Sequence, residues 1–304
     1  MTLHQIPLER RTLHGHFSCD LEPVLTIDPG DSIRMACLNS GWRLDPTTFY
    51  EPRDLELDDG HALIGPVAVR GARPGQTLVV RIDKVCAGSW GVTFAWNDER
   101  LGIEDADPHA VLWTLDAAEG WARDQSGRRV ELRPFAGVLG MPPPEPGVHS
   151  TQPPRYHGGN IDCAELVAGT TLFLPISVDG ALFSAGDGHG RQGDGEVSGT
   201  AIECPLDELQ LTLDLRDDPE LSWPVARTDD AWISFGFDPD LDEAASIATA
   251  GMLDLMVREH GLDRREALAL SSVVVDLRVT QVVNGVQGVH AVLRHDAIDF
   301  TTMA

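Results

Sequence analysis

Residues 171–196 read TLFLPISVDGALFSAGDGHGRQGDGE, and their pattern decides the fold class. Leu172, Leu174, Ile176 and Val178 alternate with Thr171, Phe173, Pro175 and Ser177. That is the period of two expected of a strand with one buried face. Asp179-Gly180 is a two-residue hairpin signal, which predicts a return strand over 181–184. A polar glycine loop over 186–195 follows, then a further strand over 196–203, and Leu209, Leu211, Leu213 and Leu215 resume the alternation. The loop is thereby placed at the tip of two strands, where a rigid scaffold presents side chains to a ligand.

Upstream, β-rich runs at 24–27, 32–38, 67–69, 77–82, 90–96 and 110–115 are punctuated by Pro29-Gly30 and Pro74-Gly75. Residues 140–154 hold MPPPEPG and QPP, too much proline for a packed element, so they read as an ordered loop or connection. Downstream, Asp238 is the expected cap of a helix with Pro239 at its first position. Leu241, Ala245, Ala248, Met252, Leu255 and Met256 keep helical spacing, and Gly261 closes the helix. Asp263 with Glu266 opens a second, shorter helix. Runs at 277–283 and 286–293 flank Asn284-Gly285, another hairpin signal. The expectation is a mainly β (α+β) protein, a β-sandwich or jelly-roll-like core with a smaller C-terminal helix–helix–hairpin lobe. Its parts are an N-terminal β-rich stretch (1–140), a central meander (141–225) and the α+β lobe (226–304), forming one compact unit.

The chain has 304 residues, of which 42% are hydrophobic and 23% charged, enough to bury a sizeable core. Its 23 Lys+Arg against 48 Asp+Glu give a net charge of −25. Such a surface repels nucleic-acid phosphates and anionic membranes, and neither partner is expected. Lys84 is the sole lysine, which leaves little room for lysine-based catalysis. Five dispersed cysteines with no CxxC pair suit a reducing cytoplasm. No stretch is long and apolar enough for a membrane span.

Chemistry concentrates in His157-Gly-Gly-Asn160-Ile-Asp162 and in Asp187-Gly-His189, Gln192, Asp194 and Glu196. An imidazole among carboxylates can hold a divalent metal while another carboxylate handles the proton of a water. The same residues equally describe a hairpin loop whose aspartates make Asx-turns. The loop matches neither an EF-hand nor a phosphate loop, and the chain has no G-x-S-x-G elbow. Cys163, beside the GGNID segment, is the thiol to consider as a nucleophile, though a small buried residue explains it as well. His290 is expected to be a packed core residue, His260 to suit a helix C-terminus, and Trp90 and Trp96 to fill the sandwich, with walling a pocket as the alternative.

The block HGGNIDCAELVAGTTLFLPISVDGALFSAGDGHGRQGDGEVSGTAIE resembles the central signature of the acetamidase/formamidase family. TLHGHFS, LEPVLTIDPGDSI, GHALIGPVAVRGARPGQTLVV, RPFAGVLGMPP and TQVVNGVQGVHAVL are similar to its other segments, so the resemblance covers most of the chain. It implies hydrolysis of formamide, acetamide or similar short amides to a carboxylate and ammonia, on a β-sandwich, in a homo-oligomer of two or more chains. It also implies a divalent metal. The mixed N/O donors suit zinc best, with calcium possible in a separate all-oxygen site. The matching positions are Asn160, Asp162, Asp187, His189, Gln192, Asp194 and Glu196, with His14 and His61 at matching histidines. Asp162, Asp187 and His189 are the expected metal ligands, and Glu196, Asp194, Asn160 and Gln192 the expected catalytic residues, with Glu196 the general base. Asn39 and Gln76 depart from the family's aspartates. Two other functions compete, a non-catalytic β-sandwich binding module and a hydrolase of a different C–N bond.

Overall fold

The computed structural model describes residues 1–51, 54–104, 107–217 and 221–299. Among them the largest sheet has nine strands. In spatial order these are Leu3–Gln5, Asp31–Cys37, Leu206–Arg216, Thr77–Ala87, Thr171–Pro175, Val225–Arg227, Ala231–Asp238, Gln287–Arg294 and Val275–Gln281. This sheet takes strands from the N-terminal, central and C-terminal stretches alike. A second sheet orders Gly158–Asn160, Phe135–Gly140, Phe183–His189, Leu63–Val69 and Leu13–His14, with Leu25–Ile27 also on Leu63–Val69. A four-stranded sheet, running from Trp90–Ala95 to Arg129–Glu131, lies beside them.

The alternating leucines do what their period demands. Leu172, Leu174, Leu209, Leu211 and Leu213 are fully buried. They join Ile64, Val67, Phe183 and Ala185 of the second sheet in one core cluster, so the two sheets pack face to face. Helix α1 (Leu241–His260) lays Ala244, Ala248, Met252 and Met256 on Val289, Ala291 and Leu293 of the larger sheet, and α2 (Arg264–Val274) follows. No described helix is long and apolar enough to cross a membrane.

Thr171–Pro175 belongs to the larger sheet and Phe183–His189 to the smaller, so Asp179-Gly180 does not join a hairpin. The chain crosses the edge of the core there, turning through left-handed Ala181 and Leu182 (φ 64° and 53°). Residues 196–203 form turns rather than a strand, and Asp187 and His189 lie on a strand rather than in a loop. The C-terminal hairpin pairs with Ala231–Asp238 and completes the edge of the nine-stranded sheet.

Helix α1 starts two residues later than the Asp-Pro pair suggests. Asp240, not Asp238, is its cap, accepting from the backbone N–H of Asp242 at 2.8 Å and of Glu243 at 3.4 Å. Gly261 closes it in the left-handed region (φ 68°), and Asp263 caps α2. Asp240→Ala is therefore expected to cost about 1 kcal/mol of stability in denaturant unfolding. An unchanged midpoint would show that the cap contributes nothing.

Candidate functional site

A pocket of about 340 Å³ opens where the second sheet meets the turns of residues 196–203 and the C-terminal hairpin. Asp162, Asp187, His189, Glu196 and Glu203 line it, together with His61, Asn160, Asn284, Trp42 and Trp96. None of the first five is more than 6% exposed. The backbone presents several of them under strain. Trp42, Asp162, Asp187 and Glu196 have φ of 60°, 52°, 59° and 45°. Side chains rarely adopt that region, and such residues collect at functional sites.

His189 is the hub. Its Nε2 lies 3.3 Å from both Asp187 Oδ1 and Glu203 Oε1. Its Nδ1 lies 2.9 Å from Gln192 Oε1 and 4.0 Å from Asp162 Oδ1. Gln192 Nε2 donates to the Asp162 backbone carbonyl at 2.7 Å, which leaves Gln192 Oε1 as acceptor. Nδ1 must then carry a proton, and Nε2 faces Asp187 and Glu203. Glu203 is fixed by Ser40 Oγ at 2.7 Å and by the Ala201 N–H at 2.9 Å. Asn284 Nδ2 reaches from the C-terminal turn to Asp162 Oδ2 at 2.7 Å.

The electrostatics follow from crowding. Burial, together with Glu196 nearby, holds the Asp162 carboxyl well above the ordinary range. Burial pushes Glu196 up to about 8, with Glu203 and Asp187 adding to the rise against the pull of His189. Burial acts against charge on Asp187 and His189 too, but there their mutual attraction wins: Asp187 is lowered and His189 raised. Asp162 Oδ1 and Asp187 Oδ1 are buried and meet no hydrogen-bond donor.

Two overlapping groups, Asp187–His189–Glu203 and Asp162–His189–Glu196, bring their donor atoms within 4.8 Å of one another. The orphaned Asp187 Oδ1 and Glu203 Oε1, both 3.3 Å from His189 Nε2, form a mixed N/O donor set that fits a divalent cation. Gly137, on the neighbouring strand, shapes the space. A Cβ there would stand 2.5 Å from Asp187 Oδ2, 2.7 Å from Asp162 Oδ1 and 2.9 Å from His189 Cε1.

Of the residues expected from sequence, Asn160, Asp162, Asp187, His189, Glu196 and His61 meet in this pocket. Asn160 donates from Nδ2 to the Gln152 carbonyl at 3.1 Å, and its Oδ1 is left without a partner. Gln192 does not line the pocket and acts behind His189. Asp194 is exposed and interacts instead with Glu165, His290, Arg278 and Arg133. His14 bonds the His16 carbonyl and Ser184 Oγ, outside the pocket. Asn39 accepts the Arg43 N–H within a turn, and Gln76 ties the Arg73 turn to Asp217, so both have structural partners. Trp96 is 47% exposed and walls the pocket, contrary to the expected core packing.

Glu203 and Asn284 escaped the sequence reading. The sequence pattern places Glu203 at the end of an expected strand, and the turn signal at Asn284-Gly285 accounts for that asparagine without any site. Only the carboxylate inside the apolar run AIEC hints at Glu203.

Residues 3–150 and 146–219 match the model of the Acetamidase/Formamidase family. The acetamidase of Mycolicibacterium smegmatis is 25% identical over 248 residues, 61% of each chain. The formamidase of Methylophilus methylotrophus is 26% identical over 260 residues, covering 67% of this chain and 63% of that protein. The matched region thus spans about three-fifths of the length of these curated relatives. The crystal structure of an acetamidase from Bacillus halodurans superposes with a TM-score of 0.84 at 28% identity, covering 95% of this chain and 97% of that one.

Gly137→Ala, at a position whose backbone angles an alanine can adopt, is expected to displace the carboxylates. A misplacement on the order of 1 Å costs about 10²-fold in rate, so turnover and metal content measured together should both fall; normal values for both would show the close approach to be irrelevant. His14 yields a pH prediction. Burial lowers its pKa from the ordinary imidazole value of 6.5 to about 4. The unfolded chain therefore binds this proton first on acidification. The stability carried by neutral His14 is complete above pH 6.5 and is lost as the pH falls toward 4. Between pH 7 and 5, His14→Gln should lose about 2 kcal/mol less than the parent in urea unfolding. Equal losses would overturn this.

Proposed function

Since the chain belongs to the acetamidase/formamidase family, we propose that it hydrolyses the C–N bond of short linear amides, such as formamide and acetamide, to carboxylate and ammonia. The observation that carries this reading is the small pocket floored by four buried carboxylates around His189. A divalent metal, zinc first, fits with Asp187, His189 Nε2 and Glu203 as its holders. Glu203 takes the place expected for Asp162, because Nε2 faces Glu203 while Asp162 lies on the Nδ1 side. When bound, such an ion supplies Lewis-acid polarisation of the carbonyl.

The chain's own residues supply the rest. Amide nitrogen leaves only once protonated, so one group must accept a proton from water and return it to nitrogen. Glu196 lies within the pocket beside Asp162, and burial holds its affinity for a proton near neutrality. The unpartnered Asn160 Oδ1 accepts from the substrate NH₂, with its own amide pinned by the Gln152 carbonyl. Trp42 and Trp96 limit the acyl group to a short chain. A neutral substrate also suits a chain of charge −25, which disfavours anions at long range. The proposal places the enzyme in a reducing cytoplasm, consistent with five cysteines that are all free, and as a homo-oligomer.

The test is ammonia release from formamide, acetamide, propionamide, urea and a bulky aryl amide by zinc-loaded protein. Formamide or acetamide should lead. No turnover on any of them would favour a binding module, and faster aryl-amide turnover would refute the narrow pocket. Glu196→Gln should lower kcat by about 10²–10⁴-fold while metal content and melting temperature hold. A loss below about tenfold would move the shuttle to Asp162.

A further inference from the structure

Cys163, Glu165 and His290 form a second cluster, none of whose members lines the pocket. Their donor atoms also lie within 4.8 Å of one another. Cys163 Sγ donates to Glu165 Oε2 at 3.3 Å. The same oxygen stands 3.6 Å from His290 Nε2, too far for a hydrogen bond, while Arg278 occupies Oε1 at 2.8 Å. His290 is completely buried on Gln287–Arg294, and its Nε2 meets no hydrogen-bond partner. Its other nitrogen is anchored, 2.8 Å from Thr280 Oγ1. A hydroxyl or carbonyl holding one ring nitrogen, with the second bare and aimed at other donors, is the arrangement of a metal-ligating histidine. A plain core histidine, as the sequence suggested, would have both nitrogens satisfied.

We infer that Cys163, Glu165 and His290 constitute a second divalent-metal site, separate from the pocket, with zinc as its occupant. A thiolate, a carboxylate oxygen and an imidazole are three of the donor types zinc takes in tetrahedral sites, with water free to be the fourth. The thiolate excludes calcium and magnesium. Binding transfers the Cys163 thiol proton to solvent. Exposed Asp194, which interacts with Cys163, Glu165 and His290, adds negative charge beside the site. The ion would join the segment carrying Asp162 to the hairpin carrying Asn284, two residues that already touch in the pocket. Cys37 and Cys204, the other buried thiols, belong to no such group among the described residues.

The donors grouped in the pocket are oxygens and nitrogens, so a thiolate is a spectroscopic label for the second site alone. Full-length protein loaded with Co²⁺ should show thiolate-to-cobalt charge-transfer absorption in the near ultraviolet. Cys163→Ser and His290→Gln should abolish it and lower zinc content by about one equivalent per chain. Cys204→Ser and Asp187→Asn should keep the band. Absence of the band in the wild-type cobalt protein, or its survival in Cys163→Ser, overturns the proposal. If Cys163→Ser does not fold, the wild-type spectrum and His290→Gln decide the question.

Discussion

Four buried carboxylates crowd around the imidazole of His189, with His61 Nε2 4.0 Å from Asp187 Oδ2, and the rest of the site is arranged around that crowding. Asp162, Asp187, Glu196 and Glu203 cannot all ionise at such burial without a compensating cation or a shared proton. The chain answers in two ways. On the Nε2 side of His189, Asp187 and Glu203 converge on one imidazole nitrogen, a mixed donor set that could hold a cation. On the other side, Asp162 and Glu196 face each other with both carboxyls raised, an arrangement that retains a proton. His189 thus stands between a group of donors that could hold a cation and a pair of carboxyls that favour a proton.

Holding like charges together takes structure. Left-handed backbone at Asp162, Asp187 and Glu196 costs on the order of 1–3 kcal/mol at each position. It persists because neighbouring backbone bonds leave few alternatives. Ile161 donates to the Gly137 carbonyl at 3.0 Å. Gly195 donates to the Thr280 carbonyl at 3.0 Å, and Val282 returns a bond to Gly195 at 3.1 Å. Beneath this lie the two packed sheets, whose buried leucines and isoleucines provide most of the stabilisation available to offset the strain.

The sequence made the alternating strands, the two helices and their closing residues legible, since these depend on spacing within a few residues. Leu209, Leu211 and Leu213 could have only one buried face, and Gly261 is well suited to a left-handed helix end. What stayed hidden depends on contacts between distant segments. Asp179-Gly180 signals a turn, and nothing local says whether the next strand pairs back or crosses to another sheet. Asp194 and Glu196 are two residues apart in one glycine-rich run, yet Gly195 and Glu196, with φ of 97° and 45°, send their side chains into different surroundings. Gly137 matters only because Asp187 lies opposite it on the next strand, a relation set by pairing rather than by sequence distance.

The C-terminal hairpin shows how far the site extends beyond its densest motif. The match to the family model stops at residue 219, and the glycine-rich block lies wholly before that point. Yet Asn284 holds Asp162 from the hairpin turn, and the backbone of Thr280 and Val282 clamps the turn that presents Glu196. Both members of the proton-holding pair are thus positioned by a segment that joins the larger sheet through its edge strands. A hydrogen bond typically contributes about 0.5–1.5 kcal/mol, and the one from Asn284 also fixes where Asp162 Oδ2 points. The hairpin therefore supports the placement of both acids, and a displacement of its edge would move them without touching a residue of the glycine loop.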